Sequence, residues 1–223
     1  MRTVMLTGAA GNLGRAVASA FAQDNLVLID LKRGNLQDSG RQLVLETDLL
    51  DAKSVQTAVD KAVQRYGRID VLCNIAGGFR MGSAVHETSD KDWNFMLDVN
   101  ARTVLNMARA VVPVMLKAGG GKIINIGAFA AQKGAAQMGA YIAAKSAVIR
   151  LTETMAAELR EKNINVNCVL PTIIDTPENR AAMPKADPKR WVAPAALADV
   201  ILFLASDAAR AIHGAALPVT GLS

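Results

Sequence analysis

The sequence predicts an α/β domain built on a parallel sheet with helices on both faces. Short apolar runs alternate with longer segments of helical periodicity, the pattern of strand–helix–strand units joined by right-handed crossovers. The first apolar run ends in a glycine-rich turn, Thr7–Gly14, where a strand hands over to a helix. The length, 223 residues, suffices for one large domain with a full core spanning 1–223. No repeat, low-complexity tract or linker divides the chain.

The periodicity places strands at 3–7, 26–30, 43–47, 69–73, 121–126, 164–169 and 214–219, and helices at 12–23, 51–66, 89–117, 138–162 and 194–206. Residues 31–42 are too short and polar for a crossover helix, so a loop should join strands two and three. Residues 171–194 hold five of the seven prolines, with Trp191 among them. They follow the C-terminal end of strand six, the edge where open α/β sheets bind ligands, so an irregular lid is expected there.

Hydrophobic residues make up 51% and aromatic residues 4%, so the core should be aliphatic. The formal charge of +5 is scattered rather than clustered, which argues against a nucleic-acid face and for a basic protein binding an anionic ligand. A strand begins at Thr3, leaving no room for a leader peptide, and no apolar run reaches the ~18 residues of a membrane span. Cys73 and Cys168 sit in apolar runs and should be reduced, buried thiols of a cytoplasmic protein. His86 and His213 lie far apart, and no Cys/His spacing suggests a metal.

The turn containing Gly8, Gly11, Asn12, Leu13 and Gly14 can bring backbone N–H groups against a pyrophosphate at a helix N-terminus. Asp30, twenty-two residues after Gly8, ends strand two and can accept hydrogen bonds from both adenosine ribose hydroxyls. Its charge would repel a 2′-phosphate, so NAD(H) is preferred; Lys32 and Arg33 keep NADP(H) possible. Asp48, followed by Leu49, ends strand three and can cap the next helix or meet the adenine. Asn74, Ala76 and Gly77 end strand four, where small residues admit a cofactor.

Tyr141 and Lys145 stand one turn apart on a helix. A phenol normally titrates near ~10, and a neighbouring ammonium favours the phenolate. Such a pair can act as a general acid/base beside a reacting carbon.

Together with Asn100 and the string Pro171-Thr172-Ile173-Ile174-Asp175-Thr176, these pieces resemble the short-chain dehydrogenase/reductase family along essentially the whole chain. The resemblance implies a seven-stranded Rossmann sheet. It implies that Tyr141 exchanges a proton with substrate, Lys145 holds the nicotinamide ribose and lowers the Tyr141 pKa, and Asn100 anchors a relay water. Ile174 and Thr176 would contact the carboxamide, close to Pro171. It also implies a homodimer or homotetramer formed through helices 89–117 and 138–162, whose Ala101, Ala108, Ala143, Ala144 and Ala147 would permit close packing.

Three positions depart from the family's pattern. Asn12 stands where a glycine is common, and Ile75 replaces a second Asn. Ala128, thirteen residues before Tyr141, stands where the family carries a catalytic Ser. Losing one oxyanion donor costs on the order of 10²–10³ in rate. A quinonoid dihydropterin is electron-poor and can take hydride with proton help from Tyr alone. The stretches 72–78, 127–131, 170–180 and 183–191 resemble dihydropteridine reductase, a member working without that Ser. The expected function is therefore NADH-dependent reduction of an activated small-molecule acceptor. A broader carbonyl or 3-oxoacyl reductase, with Gln137 or the Phe129 N–H as substitute donor, is one alternative. A dinucleotide-binding regulatory protein with little turnover is another. Phe79, Arg80, Arg180 and Trp191 are candidates for the substrate pocket.

Overall fold

Apolar runs that can be buried on both faces pair as a parallel sheet. The computed structural model, which describes residues 1–223, contains seven such strands. They are β1 (Thr3–Thr7), β2 (Asn25–Asp30), β3 (Gln42–Glu46), β4 (Val71–Asn74), β5 (Gly121–Ile126), β6 (Ile164–Pro171) and β7 (Ala216–Val219). All six pairings are parallel, in the order β3-β2-β1-β4-β5-β6-β7. Every residue of β1, β4 and β6 is buried. The order reverses between β1 and β4, which opens a crevice at their C-terminal ends.

Seven α-helices flank the sheet: α1 (Asn12–Ala20), α2 (Ala52–Tyr66), α3 (Asp90–Leu97), α4 (Thr103–Ala118), α5 (Gly139–Leu159), α6 (Pro177–Ala182) and α7 (Pro194–Leu204). On one face α1 and α7 enclose a core that includes Leu6, Val17, Phe21, Leu28 and Ile201. On the other, α2, α4 and the C-terminal part of α5 cover Met5, Val27, Val59, Met107 and Ile123. No helix is long and apolar enough to cross a membrane. Both thiols are free and buried.

The structure departs from the sequence reading in five places. The helix expected over 89–117 is broken by a π-turn at Asp98–Arg102 between α3 and α4. Asn100 lies inside that turn, and its side-chain amide donates to the Met96 carbonyl, a group of the helix ladder itself. Helix α1 stops at Ala20, because the Phe21 and Asp24 N–H groups close turns onto Val17 and Phe21. Asp51, not Asp48, caps α2 through the Lys53 N–H; Asp48 instead accepts from Leu50. The proline-rich segment contains the short helix α6, capped by Thr176 with Pro177 in its first turn. Finally, Ala108 and Ala144 are buried within the chain, so they cannot form a seam between copies.

A buried polar chain links sheet to helix. Asn74 donates to Asn125 at 2.8 Å, Asn125 donates to the Thr152 hydroxyl at 2.8 Å, and Thr152 donates to the Val148 carbonyl at 2.8 Å. Thr152→Val keeps the volume but leaves the buried Asn125 amide without an acceptor, which costs about 2 kcal/mol. The expected result is a fall in Tm of roughly 4–8 °C by calorimetry. An unchanged melt would show that the chain carries no stability.

Candidate active site

A cavity of ≈ 1110 Å³ lies over the C-terminal ends of the strands. Ligand pockets are typically ~300–1,000 Å³, so it can take a long ligand of two parts. One end is the glycine turn with Asp30 and Asp48; the other is Ala128, Tyr141 and Lys145. Between them Leu49, Ala76, Gly77, Pro171, Ile174 and Thr176 form the walls. Asn74 does not reach this surface: it is buried in the Asn125 chain.

At the first end the turn is packed without slack. A Cβ on Gly14 would lie 2.1 Å from the Gly8 carbonyl oxygen, so only glycine lets α1 start this close to the turn. The Thr7 hydroxyl accepts from the N–H groups of Ile75 and Ala76, tying the ends of β1 and β4 together. The two carboxylate oxygens of Asp30 accept from the Ala10 and Leu31 N–H groups at 2.9 and 2.8 Å. The side chain thus sets the turn's shape while remaining on the cavity wall. Lys32 and Arg33 do not line the cavity. Arg33 is turned onto Asp38 at 2.5 Å and the Leu36 carbonyl. These residues fit a dinucleotide, with a tight glycine turn and the Asp30 carboxylate at one end of the groove and a Tyr–Lys pair at the other.

At the second end Lys145 is buried and donates to the Ile126 carbonyl at 2.8 Å. Burial pushes its ammonium down to about 8, opposed by the neighbouring Cys168 thiol. Burial pushes the Tyr141 phenol up to about 12. The direction is opposite to the lowering that the Lys145 spacing suggested: burial is the cause acting on the phenol, which stays protonated at neutral pH. Gly77 passes between Asn100 and Lys145; a Cβ there would lie 2.9 Å from Asn100 Oδ1 and 3.2 Å from Lys145 Nζ. Asn100 itself is off the cavity wall. Its Oδ1 accepts from the Gly78 N–H, and its amide donates to the Gly78 and Met96 carbonyls. Both amide hydrogens are spent, so the side chain acts as a clamp, and its amide is not available to a relay water.

Ala128 is buried and lines the cavity. Gln137, proposed above as a substitute donor, is exposed and off the wall. Of the four pocket candidates, only Phe79 lines the cavity. Arg180 is held by Asp175 at 2.6 and 2.8 Å, Trp191 is buried, and Arg80 stacks 3.9 Å above the Phe95 ring. Sequence reading did not single out Phe95, Met138, Asn179 and Met183 as pocket residues, and all four line the cavity. It also missed the tie from Asn12 to Glu178 of α6 at 2.8 Å, with Arg15 held on the Asn12 side-chain oxygen Oδ1 at 2.7 Å. The departure from glycine at position 12 was the available signal.

A family model described as enoyl-(acyl carrier protein) reductase matches residues 8–221. The chain is 33% identical to the 3-oxoacyl-[acyl-carrier-protein] reductase FabG of Thermotoga maritima, over 99% of this chain and 96% of that one. It is 31% identical to dehydrogenase/reductase SDR family member 6 of Rattus norvegicus, over 99% and 96%. The crystal structure of carveol dehydrogenase from Mycobacterium avium in complex with NAD superposes with a TM-score of 0.87, at 28% identity, covering 99% of this chain and 96% of that one.

The shifted pKa of Lys145 makes stability depend on pH. Between about 8 and its ordinary value of 10.5 the unfolded chain binds the proton that the folded chain has released. Stability therefore rises with pH through that window, and the penalty for the buried ammonium is greatest below it. Lys145→Met removes this dependence. Denaturant unfolding of both proteins from pH 7 to 10.5 should show wild type gaining on the variant; parallel curves would mean that Lys145 is not desolvated.

Proposed function

The chain belongs to the short-chain dehydrogenase/reductase family and is an NAD(P)-dependent oxidoreductase; on that basis we propose that it uses NADH to reduce an activated, electron-poor small molecule such as a quinonoid dihydropterin. The observation carrying this reading is the methyl of Ala128 on the wall of the cavity that Tyr141 also lines. A simple ketone needs a hydrogen-bond donor at its oxygen as hydride arrives, and a methyl offers none. An acceptor that is already electron-poor needs only a proton.

When bound, the nicotinamide supplies the hydride. Tyr141, held protonated by burial, delivers the proton to the acceptor's oxygen or nitrogen. Lys145, fixed on the Ile126 carbonyl, holds the ribose and steadies the phenolate that remains. Gly8, Gly11, Asn12, Leu13 and Gly14 receive the pyrophosphate, and Asp48 and Leu49 receive the adenine. Pro171, Ile174 and Thr176 meet the carboxamide. NADH is preferred because Asp30 presents a carboxylate where a 2′-phosphate would sit, while Arg33 is engaged by Asp38. We further propose a homodimer or homotetramer working in the cytoplasm, a reducing compartment that suits two unpaired thiols.

A second reading, a carbonyl or 3-oxoacyl reductase, is favoured by the likeness to the 3-oxoacyl-[acyl-carrier-protein] reductase of T. maritima. NADH oxidation with freshly generated quinonoid dihydropterin, run beside simple ketones, separates the two. The expected outcome is turnover on the pterin, lost in Tyr141→Phe, and weak ketone reduction that Ala128→Ser raises on the order of 10²–10³-fold. Ketone turnover at full rate in wild type would favour the second reading. NADH binding without turnover on either would point to a regulatory dinucleotide binder. For the cofactor, Asp30→Ala should narrow the NADH-over-NADPH preference by about tenfold or more, about 1.4 kcal/mol; an unchanged ratio of kcat/KM values would remove Asp30 as the selector.

A further inference from the structure

Phe79 is 55% exposed, yet it is fixed from two sides. Behind it, Gly78 is held through both its N–H and its carbonyl by Asn100, at 3.1 and 3.0 Å. In front, its ring meets the Tyr141 ring edge to face, with centroids 4.9 Å apart and planes at 88°. That geometry is a favoured one for aromatic pairs and contributes about 0.5–1.5 kcal/mol beyond burial. An exposed Phe spends apolar surface in water, and what it gains here is contact with the one phenol on the cavity wall.

We propose that Phe79 is a positioning residue for Tyr141: held by the Asn100 clamp on Gly78, its ring fixes the phenol's orientation and shields it from water. The π-turn, the clamp, Phe79 and Tyr141 then form one mechanical series from the helix ladder to the reacting proton. Other charged groups do not account for the state of Tyr141. On the cavity wall, Lys145 lies one turn along α5, Asp98 is paired with Arg102 at 2.5 Å, and Asp30 and Asp48 stand at the glycine-turn end. Burial is the cause acting on the phenol, and the Phe79 ring packed edge to face against it is the part of that cover which one substitution removes. The proposal rests on reading Tyr141 as the proton donor, but its test does not need a substrate.

The chain has two tyrosines, Tyr66 and Tyr141. In a Tyr66→Phe background, phenolate absorbance after rapid pH jumps therefore reports Tyr141 alone. Adding Phe79→Ala should lower its midpoint by about one pH unit or more. Phe79→Leu, which keeps apolar cover, should restore most of that shift. A midpoint unmoved by Phe79→Ala, in a protein whose thermal melt is unchanged, would overturn the proposal. Once an acceptor is in hand, Phe79→Ala should depress kcat and move the alkaline limb of its pH profile, with KM little changed. A raised KM with an unmoved limb would make Phe79 a plain pocket wall and also overturn it. Absence of turnover on every acceptor would defeat the proposed function and leave the titration result standing.

Discussion

Burial of the sheet on both faces is the constraint from which the rest follows. The inner strands β1, β4 and β6, covered by α1 and α7 on one side and by α2, α4 and α5 on the other, are buried along their length. The cavity is confined to the strand ends, where Asp30 is the last residue of its strand and Asp48, Gly77 and Ala128 follow theirs within a few residues. The reversal of strand order between β1 and β4 keeps the loops from closing over that edge. Among the polar groups the interior does hold, Asn74, Asn125 and Thr152 are chained to one another at 2.8 Å.

At the reacting end three requirements meet in a few ångströms. Lys145 must be buried to be fixed on the Ile126 carbonyl, Asn100 sits in a broken helix and reaches Gly78, and Gly77 must offer no side chain to either. None of these is favourable alone. A π-turn gives up regular helix hydrogen bonds and a buried ammonium gives up water. Each is held by the cores around it.

The strand–helix alternation, the loop at 31–42 and the placing of Tyr141 and Lys145 on one helix were legible because each depends on local pattern. The Gly-turn cradle was legible because backbone approach needs glycine at fixed spacing. The π-turn was not, because Asn100 breaks the helix only by bonding Gly78, twenty-two positions away. Helix α6 was masked by prolines that read as breakers, although Pro177 after a Thr is also how helices begin. The tyrosine's pKa was misjudged in direction, since spacing shows the ammonium but not the depth at which both groups lie. The aromatic rim of Phe79, Phe95 and Phe129 was only partly seen, because nothing in a lone Phe tells cavity from core.

The bond from Asn12 to Glu178 joins positions 166 residues apart. During synthesis the glycine turn emerges among the first segments, and its partner on α6 follows only after six strands have been made. The mouth of the groove is thus among the last features that a growing chain can complete. Until residue 178 leaves the ribosome, the turn can fold against β1 and β2, but the site it serves stays open on one side.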